Sequence, residues 1–203
     1  MLDIIELQER LKDKLTEKRF NHTQGVRYTA AALAMRYGVD IKAASYAGLL
    51  HDCAKCMTDE ELIKKCKKHQ IDCTEVELRN GFLLHAKLGA YYAKKRYGVQ
   101  DEEIISAIRY HTTGRPGMSI LEAIVFTADY IEPGRKPLAH LDDIRKMAFV
   151  DLDEAVYQIL YYTLEYLQGD KKVDARGREI DNRTIEAYKY YKKIHDEKLL
   201  CGA

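Results

Sequence analysis

Apolar residues in this chain recur every three or four positions, and no stretch alternates at the two-residue period of a half-buried strand. Residues 3–19 show the pattern first, with Ile4, Ile5, Leu7, Leu11 and Leu15 on one stripe of an amphipathic helix. Only three prolines interrupt the 203 residues, and Ala, Leu, Glu and Lys fill the long segments between them, all good helix formers. The expected fold is all-α, a single helical bundle over 1–203.

End signals divide the chain further. A second helix over 23–37 stops before Gly38, and Asp40 caps a third over 41–54. Thr58 and Glu61 have the capping-box spacing that opens a helix over 59–69. Gly98 closes 82–98, the segment TTGRPG stops 101–111, and Pro133-Gly134 stops 119–134. Further helices are expected near 140–149, 151–168 and 183–197, with a charged, Gly-containing link at 169–182. The fifteen tyrosines fall mostly at helical spacing and read as packing residues.

Charge narrows the partners. Lys and Arg (33) nearly cancel Asp and Glu (32), leaving a net charge of +1. That gives no domain-wide basic field for nucleic acid or an anionic membrane. Apolar runs fall far short of the ~20 residues that span a bilayer, and the charged N-terminal segment reads as neither signal peptide nor anchor. Five cysteines, an odd number, read as reduced thiols of a cytoplasmic protein. Cys53-x-x-Cys56 resembles half a zinc site, but no second such pair follows, so free thiols are the better reading. The Lys runs at 64–68 and 192–193 read as solvated faces.

The residues able to carry chemistry cluster elsewhere. In AGLLHDCAK (47–55), an apolar helix delivers His51, Asp52 and then Lys55. With seven His and sixteen Asp in the chain, chance supplies roughly half of one His-Asp doublet. His195-Asp196, in a Lys-rich segment, is the chain's internal control and reads as surface. His51 and Asp52 follow residues that should be buried, so both need partners. Candidates are His22 in FNHTQGV, His85 in LLHAKLGA, His111 in IRYHTTGRPGM and Asp129 in VFTADYIEPGR. One such histidine is ordinarily a hydrogen-bonded core residue. Several imidazoles plus two carboxylates converging together make a nitrogen and oxygen site suited to a first-row transition metal.

His22, the His51-Asp52 doublet and Asp129 resemble the H…HD…D signature of the HD-domain phosphohydrolases. AGLLHDCAK, LLHAKLGA, AIRYHTTGRPGMS and ADYIEPGR are similar to the YqeK-type branch, the symmetrical bis(5′-nucleosyl)-tetraphosphatases. The likeness runs from about residue 20 to 136, with a weaker echo in DNRTIEAYKYY (181–191). It implies a metal-binding core there, with helices over about 140–197 packed on it. It also implies that diadenosine tetraphosphate is split into two ADP.

By the same resemblance, His22, His51, Asp52 and Asp129 bind metal, typically iron, as one or two ions. Spacing does not separate iron from manganese or another divalent ion. His85 and His111 are implied to complete a second metal position or to touch substrate phosphates. Metal-activated water would attack the anhydride, with Asp52 orienting it or bridging two ions. Lys55, Arg115 and Arg135 are candidate phosphate contacts. Thr112 donates to phosphate or caps its turn. Arg183 and Thr184 close over the nucleotide or, on the plainer reading, begin a helix with Asn182.

Two alternatives stay open. An HD site of this kind also suits a cyclic dinucleotide, a guanosine alarmone or a deoxynucleotide, and a non-catalytic nucleotide-binding module would keep the same ligands. Nothing in the sequence fixes the oligomeric state, and a homodimer is compatible with it.

Overall fold

The computed structural model describes residues 3–169 and 180–201. Most of the expected link at 169–182, residues 170–179, lies outside them. Among the described residues there is no strand. The helices are α1 (Ile4–Lys12), α2 (Glu17–Tyr37), α3 (Ile41–Leu50), α4 (Asp59–Lys68), α5 (Glu75–Arg79), α6 (Leu84–Arg96), α7 (Glu102–Tyr110), α8 (Ile120–Ile131), α9 (Leu141–Ala148), α10 (Leu152–Gly169) and α11 (Asn182–Cys201).

Two departures from the sequence reading matter for the site. The helix expected over 3–19 breaks at residues 13–16. Thr16 turns extended, and its hydroxyl accepts the Arg19 N–H at 3.3 Å. A new helix thus opens six residues before the expected 23. The break tucks Leu15 into the core and leaves Ile5 65% exposed, so Ile5 is not part of the buried stripe. The helix expected over 41–54 ends at Leu50. Residues 51–56 wind onward in tight turns, with Cys53 N–H on the Leu50 carbonyl at 3.0 Å and Lys55 N–H on that of Asp52 at 2.9 Å.

Other ends obey their caps. Asp40 accepts from the Lys42 N–H. Thr58 with Glu61 and Ser119 with Glu122 form reciprocal capping boxes. Thr74 with Glu77 forms a third and opens α5, a short helix the sequence reading passed over. Glu77 is buried and holds Lys87 of α6 at 2.7 Å, whose ammonium also donates to the Asp72 carbonyl at 2.9 Å. His195 is not simply solvated as expected. It lies against the Tyr157 ring and bonds Glu154 at 2.7 Å, docking α11 on α10.

A single cluster of buried apolar side chains runs from Leu7 in α1 to Tyr191 in α11. At its centre α2 packs on α3 and α8, and α7 packs on α3, α6 and α8. These five helices aim one end or one turn each at a common point. No helix among the described residues is long and apolar enough to cross a membrane.

The α2–α3 crossing depends on Gly48. A Cβ there would stand 2.9 Å from Arg27 Cα and 3.2 Å from Val26 O, and backbone cannot step aside as a side chain can. Gly48→Ala should force the two helices apart and cost about 1–3 kcal/mol. Urea denaturation should show a lower midpoint with an unchanged slope.

Candidate metal centre

His22 stands in the second turn of α2, while His51 and Asp52 come just past the end of α3. His85 lies in the first turn of α6, His111 caps the end of α7, and Asp129 sits in the last turn of α8. Sequence positions more than a hundred residues apart thus converge. The Nε2 atoms of His22 and His51 are 3.3 Å apart, and those of His85 and His111 are 3.1 Å apart.

Those short separations are explained at the other ring nitrogen. His51 Nδ1 lies 2.7 Å from the Gly48 carbonyl, and His111 Nδ1 lies 2.7 Å from the Ile108 carbonyl. His85 Nδ1 bonds the Phe82 carbonyl. A carbonyl offers no proton, so each of these rings must carry its hydrogen on Nδ1. Each Nε2 of a neutral ring is then a bare lone pair aimed at the centre. His22 differs, for its Nδ1 bonds the Glu132 carboxylate at 3.0 Å. Lone pairs facing one another at such distances repel unless a cation lies between them.

The acids complete the donor set. Asp52 is buried and splits its oxygens between the two imidazole pairs. Its Oδ2 lies 3.8 Å from His22 Nε2 and 3.4 Å from His51 Nε2, and its Oδ1 lies 3.2 Å from His85 Nε2 and 3.6 Å from His111 Nε2. Asp52 Oδ1 makes no hydrogen bond although it is buried, and a buried carboxylate oxygen needs a partner. Asp129 Oδ1 lies 3.0 Å from His22 Nε2 and 3.8 Å from His51 Nε2. Two overlapping triads result, His22–His51–Asp129 and His51–Asp52–His111, each with ligand atoms mutually within 4.8 Å. Geometry and donor chemistry both fit a divalent first-row metal.

Electrostatics point the same way. Burial alone would raise the Asp52 carboxyl, but His51, His111 and His85 hold it well below the usual range. Asp129 is likewise depressed against burial, by His22 and Arg135. Burial, then Lys55, push His85 down to about 4, which keeps it a neutral ligand. His22 is raised instead: burial opposes its charge, but Asp129 and Glu132 outweigh that cost.

Cations ring the acids. Lys55 Nζ stands 3.1 Å from both ring nitrogens of His85, and burial lowers its pKa despite Asp52 and Asp129. Arg135 grips Asp129 through Oδ1 at 2.5 Å and its carbonyl at 2.7 Å. Arg19, absent from the sequence reading, meets Asp52 Oδ2 at 2.6 Å. Its position one turn before His22 on one helix face was the signal available. Arg19, His22, Glu132 and Arg135 line a cavity of about 800 Å³ together with Lys18 and Lys136.

The remaining candidates separate. Thr112 Oγ1 joins the cluster, 3.2 Å from His85 Nε2 and 3.0 Å from His111 Nε2. Thr184 is buried and lines a small cavity with His111, Thr112 and Asp129. Asp181, not Asn182, caps α11 by accepting the Arg183 N–H at 2.8 Å. Arg183 leans on Tyr110 and lies 3.8 Å from Glu77. Arg115 does not offer its fork to the cluster as expected. It closes on the buried Glu122 at 2.7 and 3.2 Å, a carboxylate that needs a cation. Cys53 and Cys56 are free thiols, and burial pushes Cys53 up to about 12, away from redox use.

Known proteins resemble this chain over most of its length. The HD domain model matches residues 19–134. The symmetrical bis(5′-nucleosyl)-tetraphosphatase of Bacillus subtilis (strain 168) is 43% identical over 157 residues, 77% of this chain and 83% of that one. The protein of the same name from Staphylococcus aureus (strain NCTC 8325 / PS 47) is 37% identical over 199 residues, 96% of this chain and 97% of that one. A crystal structure from Clostridium acetobutylicum, described as a predicted HD superfamily hydrolase involved in NAD metabolism, matches with a TM-score of 0.88 at 38% identity. It covers 96% of this chain and 99% of its own.

The raised pKa of His22 sets a pH dependence for metal binding. A proton on His22 occupies the lone pair a metal needs. Affinity for Mn(II) should therefore fall as pH drops through the raised His22 value, with a slope approaching tenfold per pH unit per proton displaced. Calorimetric titrations from about pH 8.5 down to about pH 6 should show this fall, with proton release to buffer growing as pH falls.

Proposed function

The chain belongs to the HD-domain family, and we propose that it is a metal-dependent hydrolase that cleaves diadenosine tetraphosphate symmetrically into two ADP. One observation carries the reading: four imidazole nitrogens and two carboxylates converge beside a cation-lined cavity. The names and extents of the relatives in Bacillus and Staphylococcus support the substrate.

His22, His51, Asp52 and Asp129 are the proposed metal ligands. His85 and His111 complete a second position or meet phosphate oxygens. Iron is the proposed metal, as one or two ions; the donor set admits manganese or another divalent ion equally. When bound, the metal supplies Lewis acidity toward a phosphoryl oxygen and acidifies water.

The reaction adds one water. Its oxygen bonds to one of the two inner phosphorus atoms, and the bond from that phosphorus to the central bridging oxygen breaks. Both products are then nucleoside diphosphates. Phosphoryl transfer leaves the protein mainly positioning and charge stabilisation to perform. Asp52, with one oxygen toward each imidazole pair, would help hold the metal and orient the attacking water. Arg19 and Arg135 exchange their carboxylate partners, and Lys55 its contact with the His85 ring, for phosphate oxygens, with Thr112 as a neutral donor. Thr184 and Arg183 border the nucleotide from α11. Arg115 serves this site through Glu122 and the start of α8. The cytoplasm, where nucleotides are abundant, is the proposed location.

Product analysis on diadenosine tetraphosphate should return ADP alone; AMP with ATP would sink the reading. Even residues that merely orient metal ligands cost about 10–100-fold when removed, so Asp52→Ala and His51→Ala should each lose at least about 100-fold in kcat/KM. Circular dichroism should show both variants still helical. Metal analysis of protein purified without chelator should find iron.

A further inference from the structure

His22 is the exception among the four imidazoles. The other three sit at helix ends, and each places its Nδ1 on the backbone carbonyl three residues back. His22 stands inside α2, where preceding carbonyls are committed; that of Arg19 also accepts the Thr23 hydroxyl at 2.9 Å. Its Nδ1 must find an acceptor elsewhere.

The acceptor comes from the far end of α8. Glu132 is 2% exposed, and both its oxygens are used: one on His22 Nδ1 at 3.0 Å, the other taking the Gly134 N–H at 2.6 Å. Its backbone carbonyl is held by Arg145 at 3.0 Å. The carboxylate lies in space left by Gly25 of α2, where any Cβ would overlap Glu132 Oε2. Glycine is a poor choice inside a helix, so its presence one turn after His22 calls for this reason.

We propose that Glu132, seated against Gly25, is the positioning residue that holds His22 with its Nε2 lone pair on the metal. The inference rests on the metal-centre reading above. A carboxylate behind a ligating imidazole fixes the ring's tautomer and orientation. A glutamine cannot replace it. Its amide either turns NH2 toward the Gly134 N–H or presents NH2 to the His22 Nδ1–H, and it carries no charge in either pose.

Co(II), whose visible absorption reports its ligand field, tests this without nucleotide. Glu132→Gln should weaken Co(II) binding by about 10–100-fold and change the spectrum of the saturated protein. Gly25→Ala should weaken binding in the same direction while α2 stays helical, since alanine favours a helix more than glycine does. Added to Glu132→Ala, the same Gly25→Ala change should cost nothing more, because no carboxylate remains to displace. Unchanged affinity and spectrum in Glu132→Gln would overturn the positioning role. An equal loss from Gly25→Ala with or without Glu132 would overturn the link between the two residues. Wild-type protein that binds no Co(II) would overturn the metal centre itself, a different result from either.

Discussion

Three histidines donate their Nδ1–H groups to backbone carbonyls three residues back, and that commitment governs the centre of the molecule. It turns three rings into one-sided donors before any ligand arrives. Such donors would drive each other apart in a flexible chain. Here they are held by α3, α6 and α7, which are locked by a core running through the whole bundle. The fold holds these lone pairs where one cation could meet them together.

The carboxylates play the opposite part. Asp52 and Asp129 attract every cation within reach, and Arg19, Arg135 and His22 answer. This surplus of positive groups around two acids makes sense for a site that must take a polyanion. Were the acids engaged with a metal, the guanidiniums would be left to the cavity they already line. Charge that looks balanced over the whole chain is therefore unbalanced at one point. The net charge of +1 excluded a broad basic face but said nothing about a local one.

The sequence disclosed whatever depends on local pattern. Helix period, capping boxes and Gly or Pro stops placed most elements within a few residues. Most of the clustered side chains stood out because polar residues that follow apolar ones need partners, whereas His22, inside α2, was singled out by the H…HD…D resemblance. What stayed hidden depends on tertiary context. The break at Thr16 is a choice between two helices that share one hydrophobic stripe, and only the demand to bury Leu15 decides it. α5 is too short to show a period, though its capping box was present. Arg19 and Glu132 look like ordinary surface charges in KRFNH and YIEPG. Only the approach of α2 to α8 makes one a partner of Asp52 and the other of His22. Arg115, read from the sequence as a phosphate fork, pairs in the structure with the buried Glu122 nearby.

Five helices each contribute to the centre, and their ligands are strung from residue 22 to residue 129. An ion gripped by all of them would act as a staple across most of the polypeptide. Such a staple favours the native chain over the unfolded one, which offers no preassembled set of donors. A metal held there would also be a fastening, and losing it would loosen the architecture that recruits it.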